Sequence, residues 1–353
     1  MRNCQALIDT AALQHNFRLL QQRAGAAKLV AVIKADGYGH GLHTVAQSLS
    51  DAAMLAVATM DEAWQLRQAG NSQPLLVLQG FKNAQELQQI SAQRLVPVVH
   101  ASHQVSLLRN SGLRLPQIWL KLQTGMHRLG LAADDFQAAQ KTLSAQLDDM
   151  VLMTHFACAE DHASAATDAQ IQRFDAVCAG LPGKHSLANS AALWERPATR
   201  RGWVRPGIML YGVSPSADCS GSDLGLRPVM RLHSELIAIQ QCRRGDRVGY
   251  GLRYQCRRDT RIGIVAIGYG DGYPRHAEDG TPVMVDGEPA TLAGVPSMDM
   301  LTVDLGPDST AQVGAPVELW GGDIAVETVA RHAGTIPYEL LCQLTSRVPL
   351  RMV

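Results

Sequence analysis

The chain has 353 residues, 46% of them hydrophobic, and its 32 Lys and Arg balance 32 Asp and Glu to a net charge of +0. That length suits one large domain plus a second, and the apolar share fills a sizeable core. A neutral chain without a basic run argues against nucleic acid or an anionic membrane as partner, and no stretch approaches the ~18 apolar residues of a membrane span. Residues 1–9 carry no signal-type apolar core. The seven cysteines are odd in number, scattered and free of any Cys-x-x-Cys pair. A reduced, cytoplasmic chain without a metal site is the expectation.

The first strong element is the apolar run 29–33, rich in β-branched residues, which reads as a strand buried on both faces. Lys34 stands where it ends, and Gly37, Gly39 and Gly41 then break the strand. Only six lysines occur in the chain, and two of them, Lys34 and Lys121, close apolar runs. A lysine at the mouth of a buried strand suits imine formation, because burial lowers its pKa and frees a nucleophilic amine. A lysine that snorkels to water is the alternative at this point.

Further apolar runs follow at 54–59, 74–79, 95–100, 118–122, 151–155, 185–189 and 204–211, with helical periodicity between most of them. Gly70 and Gly180 read as helix stops. Eight strands at a spacing of roughly 25 residues predict right-handed βα units closed into a (β/α)8 TIM barrel over 9–225. The turn Gly37-Tyr-Gly-His-Gly41 does not match G-x-G-x-x-G, which disfavours an open doubly wound sheet. Residues 213–228 are rich in Ser, Gly, Asp and Pro and read as a linker. Alternating runs at 231–241, 247–252, 261–267, 283–285, 300–305 and 316–319, with Asp286-Gly287 as a hairpin turn, predict a mainly β domain over 226–353. Helical spacing at 326–334 and 337–345 and a short strand at 348–353 complete it. The class is α/β, with the barrel followed by the β domain.

Barrel enzymes place their chemistry at the C-terminal ends of the strands. That rim would carry Lys34 with Tyr38 beyond it, Lys121 leading into 124–130 with Arg128, His155, Asn189-Ser190, and Arg205 with Gly207-Ile208. Each alone has a bland reading: a rim histidine, a surface arginine, a snorkelling lysine. Together they suit a phosphorylated carbonyl cofactor, the amine forming an imine and Ser and backbone N–H groups holding the phosphate. The β domain adds 268–274, with Tyr269, and 296–300. A glycine-rich turn can be a bare corner, and spacing alone does not place Tyr269 near Lys34.

These motifs, in order, resemble bacterial alanine racemase over essentially the whole chain. The carriers are 32–41, 121–130, 154–157, 188–191, 204–212, 268–273, 297–299 and 335–339. The resemblance implies pyridoxal 5'-phosphate (PLP) on Lys34, which also serves as one base, with Tyr269 of a partner subunit as the opposing base. It implies that Arg205 meets the pyridine nitrogen with His155 behind it, and that Arg128 contacts the cofactor's phenolic oxygen. Tyr38, Asn189, Ser190, Gly207, Ile208 and Tyr338 would hold the cofactor, mostly at its phosphate. The Met298 N–H, with Arg128, would receive the substrate carboxylate. Lys121 is commonly carbamylated in this family and would orient Arg128. The first strand, within 1–8, would pack with the C-terminal domain, and the enzyme would be a homodimer. The implied reaction interconverts L- and D-alanine, for peptidoglycan or for alanine catabolism.

Two bases on opposite faces of Cα suit racemisation. A phenol, with a reference pKa of about 10, needs neighbouring positive charge to act as one of them. Arginine at the pyridine nitrogen is a poor proton donor, which would favour proton exchange over transamination. Three positions depart from the family. Gln123 stands where Asp is frequent and puts the polar shell of Lys121 in question. Asp36 replaces a common Asn with an expected minor effect, and Val295-Pro296 replaces an Arg-containing pair in the substrate access corridor. The rival readings are a broad-specificity amino-acid racemase, which is typically exported, a basic amino-acid decarboxylase of the same fold, which would place an acid where Arg205 stands, and a non-catalytic PLP carrier lacking the second domain.

Overall fold

A computed structural model describes residues 4–144, 147, 149–161 and 163–353. The first three residues of the segment 1–8 thus lie outside the description. The described part opens with strand β1 (Gln5–Ile8) and helix Thr10–Ala24. Eight parallel strands come next: β2 (Lys28–Val32), β3 (Met54–Val57), β4 (Leu75–Val77), β5 (Val96–Val99), β6 (Gln117–Lys121), β7 (Asp149–Met153), β8 (Lys184–Ser186) and β9 (Trp203–Val204). They pair in the order β8-β7-β6-β5-β4-β3-β2-β9. Arg205 N–H donates to Ala188 O at 2.9 Å and Ser186 Oγ to Trp203 O at 3.0 Å, so the two outer members meet and the sheet closes into a barrel.

Strands such as β3, β4 and β5 are buried at every residue, as strands covered on both faces must be. Trp119 and Trp203 fill part of the barrel, their rings 5.6 Å apart. Outer helices start where capping chemistry allows. Thr59 and Glu62 form a capping box on helix Met60–Gln68, and the Asn83 side chain accepts from Glu86 N–H at the head of helix Ala84–Ala92. No described helix is long and apolar enough to cross a membrane.

Two local expectations change. The run 204–211 is not one strand: β9 stops at Val204 and Ile208–Tyr211 is a 3-10 turn. Pro206 offers no N–H to a ladder, so the strand ends before it. The stretch after β2 is not a loose glycine break either. Lys34–Gly39 is helical, with φ of 54° at Ala35, 53° at Asp36, 62° at Gly37, 53° at Tyr38 and 79° at Gly39, so the turn is left-handed. Each non-glycine residue there costs about 1–2 kcal/mol. Local bonds offset it: Gly37 N–H to Ile33 O at 2.9 Å, and Leu42 N–H to Asp36 Oδ1 at 2.7 Å. Asp36 thereby starts helix Leu42–Ser48, an acceptor role that Asn would also fill.

The remaining strands are β10 (Met230–Cys242), β11 (Arg247–Val248), β12 (Tyr254–Gln255), β13 (Thr260–Val265), β14 (Pro282–Val285), β15 (Glu288–Leu292), β16 (Leu301–Gly306), β17 (Pro316–Trp320) and β18 (Leu350–Met352). One sheet runs β13-β16-β15-β14-β17-β10-β1-β18, and a further β13–β10 pairing curls it on itself. β1 lies antiparallel to β10 and parallel to β18, the placement the family resemblance implies. Asp286 and Gly287, both at positive φ, make the tight β14–β15 turn. The chain divides into two compact units, one made of the segment ending at His15 with 38–41 and 211–353, the other of 16–37 and 42–210.

Gly39 closes the left-handed turn at φ 79°, and a Cβ there would lie 2.1 Å from Leu341 O. Gly39→Ala adds backbone strain to a clash with main chain, so unfolding should cost at least about 2 kcal/mol less than in the wild type. Urea titration measures it, and an unchanged midpoint would refute the strain at Gly39.

Candidate active site

In the barrel unit every charged candidate follows a strand end. Lys34 follows β2, Lys121 ends β6, His155 follows β7 and Arg205 follows β9. Arg128 sits on the loop after β6, whose base is zipped by Gln123 N–H to Leu131 O and Leu131 N–H to Lys121 O, both 2.9 Å. The Thr124 hydroxyl meets Thr154 Oγ1 at 2.7 Å and accepts from Gln170 Nε2 at 2.9 Å, while Arg173 donates to Thr124 O.

Arg205 is buried and held on several sides. Its Nη1 donates to Ser186 O at 2.9 Å and Ser186 Oγ at 2.6 Å; its Nη2 donates to Thr154 O at 2.7 Å, Leu187 O at 3.2 Å and His155 Nδ1 at 3.4 Å. Burial lowers its pKa to about 10, so it stays a cation at neutral pH. His155 is pushed well below the usual histidine range by burial, and then by Arg205, Lys121, Arg128 and Lys34. It is neutral, as an acceptor at Nδ1 must be. Lys121 falls to about 7, through burial first and then Arg205, Arg128 and Lys34. The barrel end therefore brings Lys34, Lys121, Arg128, His155 and Arg205 into one electrostatic group.

The candidate phosphate residues form a second cluster of that unit. Asn189 caps helix Ser190–Glu195 by accepting from Ala192 N–H at 3.0 Å, and buried Ser190 Oγ accepts from Gly207 N–H at 2.9 Å. The Gly207 N–H is thus engaged in fixing the turn beside Ile208, and the Asn189 side-chain oxygen in fixing the head of the helix. Tyr38 belongs to the other unit. It is buried, stacks on Tyr211 at 4.7 Å between ring centroids and lies 6.2 Å from the Tyr338 ring. Burial, then Tyr338 and Cys342, raises its hydroxyl pKa.

In the β unit Tyr269 heads the 3-10 turn Tyr269–Asp271 and is 37% exposed. Its N–H donates to Ser297 O at 3.0 Å and Gly270 N–H to Met298 O at 2.8 Å, which sets Tyr269 beside exposed Met298. Buried Asp271 accepts from Gly268 N–H at 2.9 Å and pairs with Arg347 Nε at 3.1 Å. Arg347 Nη2 reaches Asp299 Oδ1 at 2.6 Å. Asp271 and Arg347 carry no spacing signal in the sequence that would join them. Gln123 also has a use that the sequence left open: it accepts from Gly125 N–H at 2.5 Å and meets His127 Nδ1 at 2.7 Å, bracing the loop of Arg128.

The chain matches the family models described as alanine racemase, N-terminal domain, over residues 8–215 and alanine racemase, C-terminal domain, over 229–352. It is 46% identical over 355 residues to an alanine racemase of Vibrio vulnificus (strain CMCP6) and 47% identical over 353 residues to one of Nitrosococcus oceani, covering 99% of both chains in each case. The crystal structure of biosynthetic alanine racemase from Pseudomonas aeruginosa superposes with a TM-score of 0.96 at 42% identity, covering 100% of each chain. Alanine racemase from Bartonella henselae with covalently bound pyridoxal phosphate superposes with a TM-score of 0.90 at 28% identity, covering 99% of each chain.

The low pKa of Lys121 has a signed consequence. Below about pH 7 the folded chain carries a buried cation, and between about 7 and 10.5 the unfolded chain binds the extra proton, so stability rises with pH across that window. In bicarbonate-free buffer Lys121→Met should be more stable than wild type below pH 7, by up to a few kcal/mol. The gap should close by about pH 10.5. Parallel pH profiles of thermal unfolding for the two proteins would remove the low pKa from Lys121.

Proposed function

The chain belongs to the alanine racemase family, and from that premise we propose how its own residues carry the reaction. The activity is alanine racemisation, the isomerase reaction that interconverts L- and D-alanine. The family depends on PLP, and we take PLP as the cofactor here. The cation-rich barrel end supports that reading: Arg205, Arg128 and Lys34 lie close enough together to lower the pKa of Lys121 and His155, a positive field that suits an anionic ligand. When bound, PLP supplies an aldehyde for an amine and a conjugated ring that withdraws electrons from Cα.

Lys34 would hold the cofactor, and its amine would exchange a proton on one face of Cα. Tyr269, supplied by a second copy in a homodimer, exchanges a proton on the other face. Two positioned groups make inversion a transfer in and a transfer out, without rotation of the substrate. Arg205 would meet the cofactor's ring nitrogen; of its guanidinium N–H groups, Nε is the one its described partners leave. Because Arg205 keeps its proton, it would offer none to the ring nitrogen, which would favour proton exchange over transamination. Ser190, Gly207, Ile208, Asn189, Tyr38 and Tyr338 bind and frame the phosphate, while Arg128 and the Met298 N–H orient the alanine carboxylate. Val295 and Pro296 line the access route.

Lys121, with a pKa of about 7, has enough neutral amine to add CO2 with loss of one proton, giving a carbamate anion beside Arg128. Bicarbonate should then offset the acid-side penalty that Lys121 imposes. A basic amino-acid decarboxylase would want a carboxylate where Arg205 is fixed by Ser186 and Thr154. We place the enzyme in the cytoplasm, where D-alanine would supply peptidoglycan or alanine would be catabolised.

Tyr269→Phe should slow exchange of the Cα proton of L-alanine with solvent deuterium by about 100-fold or more, and that of D-alanine much less. Equal slowing for both enantiomers would count against two separate bases. Lys34→Ala and Tyr269→Phe should each be inactive as homodimers, yet regain a fraction of wild-type activity when unfolded together and refolded as a mixture. No recovery in verified mixed dimers would exclude a site shared between subunits.

A further inference from the structure

The carboxylate in the first turn of helix Met60–Gln68 does more than its helix requires. A capping box needs Thr59 Oγ1 to accept from Glu62 N–H and Glu62 to accept from Thr59 N–H, and both bonds are present at 3.4 and 3.2 Å. The same oxygen, Oε2, accepts from Ala58 N–H at 2.7 Å. The other oxygen leaves the helix: Oε1 accepts from Ala35 N–H at 2.7 Å. Ala35 follows Lys34 and is the first of five successive residues at positive φ. Its peptide is where the run of a buried parallel strand passes into a left-handed turn. An N–H at the head of a helical turn has no partner within the turn, and a carboxylate is its strongest acceptor.

We propose that Glu62 is a positioning residue for Lys34: its Oε1 fixes the Lys34–Ala35 peptide, and with it the direction in which the lysine side chain leaves the backbone. The proposal rests on the reading of Lys34 as the cofactor-bearing amine. Three of the five residues after Lys34 are non-glycine and strained in this conformation, so the turn needs an external hold at its start. Glu62 supplies that hold while Oε2 grips the end of the neighbouring strand through Ala58, which ties two adjacent strand ends to one carboxylate. A glutamine cannot do this, because its amide nitrogen donates and only one oxygen accepts.

The test compares Glu62→Gln with Thr59→Ala. Thr59→Ala breaks the capping box and leaves the Ala35 bond. Amide hydrogen exchange of segment 33–41 is read by mass spectrometry on the full chain with and without pyridoxal phosphate, and the dissociation constant of pyridoxal phosphate by absorbance titration. Glu62→Gln should speed exchange in 33–41 at least tenfold and weaken pyridoxal phosphate binding at least tenfold, with kcat falling more than KM rises. Thr59→Ala should leave both within about twofold while lowering the unfolding temperature. Equal exchange and equal affinity in the two variants would overturn the proposal and leave Glu62 as a helix cap. If Glu62→Gln does not fold, Glu62→Asp keeps the charge but shortens the reach. Its exchange should then lie between wild type and tenfold, and wild-type exchange with wild-type affinity would overturn the proposal. Lys34→Ala separates the premise from the inference. It should lose the visible absorbance of the lysine–cofactor link but keep the slow exchange of 33–41. Retained absorbance would remove Lys34 from its role while the exchange data still decide whether Glu62 holds the turn.

Discussion

Several cationic groups share one end of the barrel and shift one another's hold on a proton. Interactions between charges strengthen as water is excluded, so Arg205, Arg128 and Lys34 push the Lys121 pKa down further once burial has lowered it. The protein settles the matter by deciding which group keeps its proton. Arg205 does, because Ser186, Thr154 and Leu187 turn oxygens toward it. His155 yields and becomes an acceptor for the same guanidinium. Lys121 sits at the balance point, with a pKa of about 7. The positive field that remains suits anions, and both a phosphate and an amino-acid carboxylate are anions.

The two proposed bases are carried on short segments, and both segments are fastened in a similar way. Behind Lys34, the Glu62 carboxylate accepts from Ala35 N–H. Around Tyr269, the Asp271 carboxylate accepts from Gly268 N–H and draws in Arg347, which reaches on to Asp299. Irregular backbone is the natural place for a reactive side chain, because it can aim the chain where a regular element would not. It also needs holding. A carboxylate serves because its bonds to N–H groups are charge-assisted and it can accept several at once.

What could be read beforehand follows from how each feature is encoded. The eight barrel strands were legible because burial on both faces writes itself as apolar runs, and Lys34 and Lys121 stood out as cations at the ends of those runs. The limits of the last run were not, since Val204, Ile208 and Leu210 are all buried although only the first is in a strand; Pro206 between them was the clue. The handedness of the turn after Lys34 was hidden as well. Ala35, Asp36 and Tyr38 are ordinary residues, and one bond at the head of the turn comes from Glu62, well away in the chain. The Asp271–Arg347–Asp299 network joins three distant positions by charge alone, and no periodicity announces such a contact. Gln123 differs again: the residue was noticed, but its bonds to Gly125 and His127 depend on a loop shape that composition does not state.

The strand pairing of β1 sets a schedule for synthesis. Ala6 lies beside Leu350 in one ladder and beside Leu232 in the other. About 340 residues separate Ala6 from its later neighbour, so at typical ribosomal speeds the first strand waits roughly 20–70 s for the last to emerge. During that interval one edge of β1 has no ladder partner, and exposed edges invite pairing with other chains. Apart from β2 with β9, the barrel strands pair with near neighbours in sequence, and all of them have emerged while β1 still waits. Refolding from denaturant lifts this order, because both ends are then present from the outset, and the β unit is limited instead by the loop closure that such distant pairing demands.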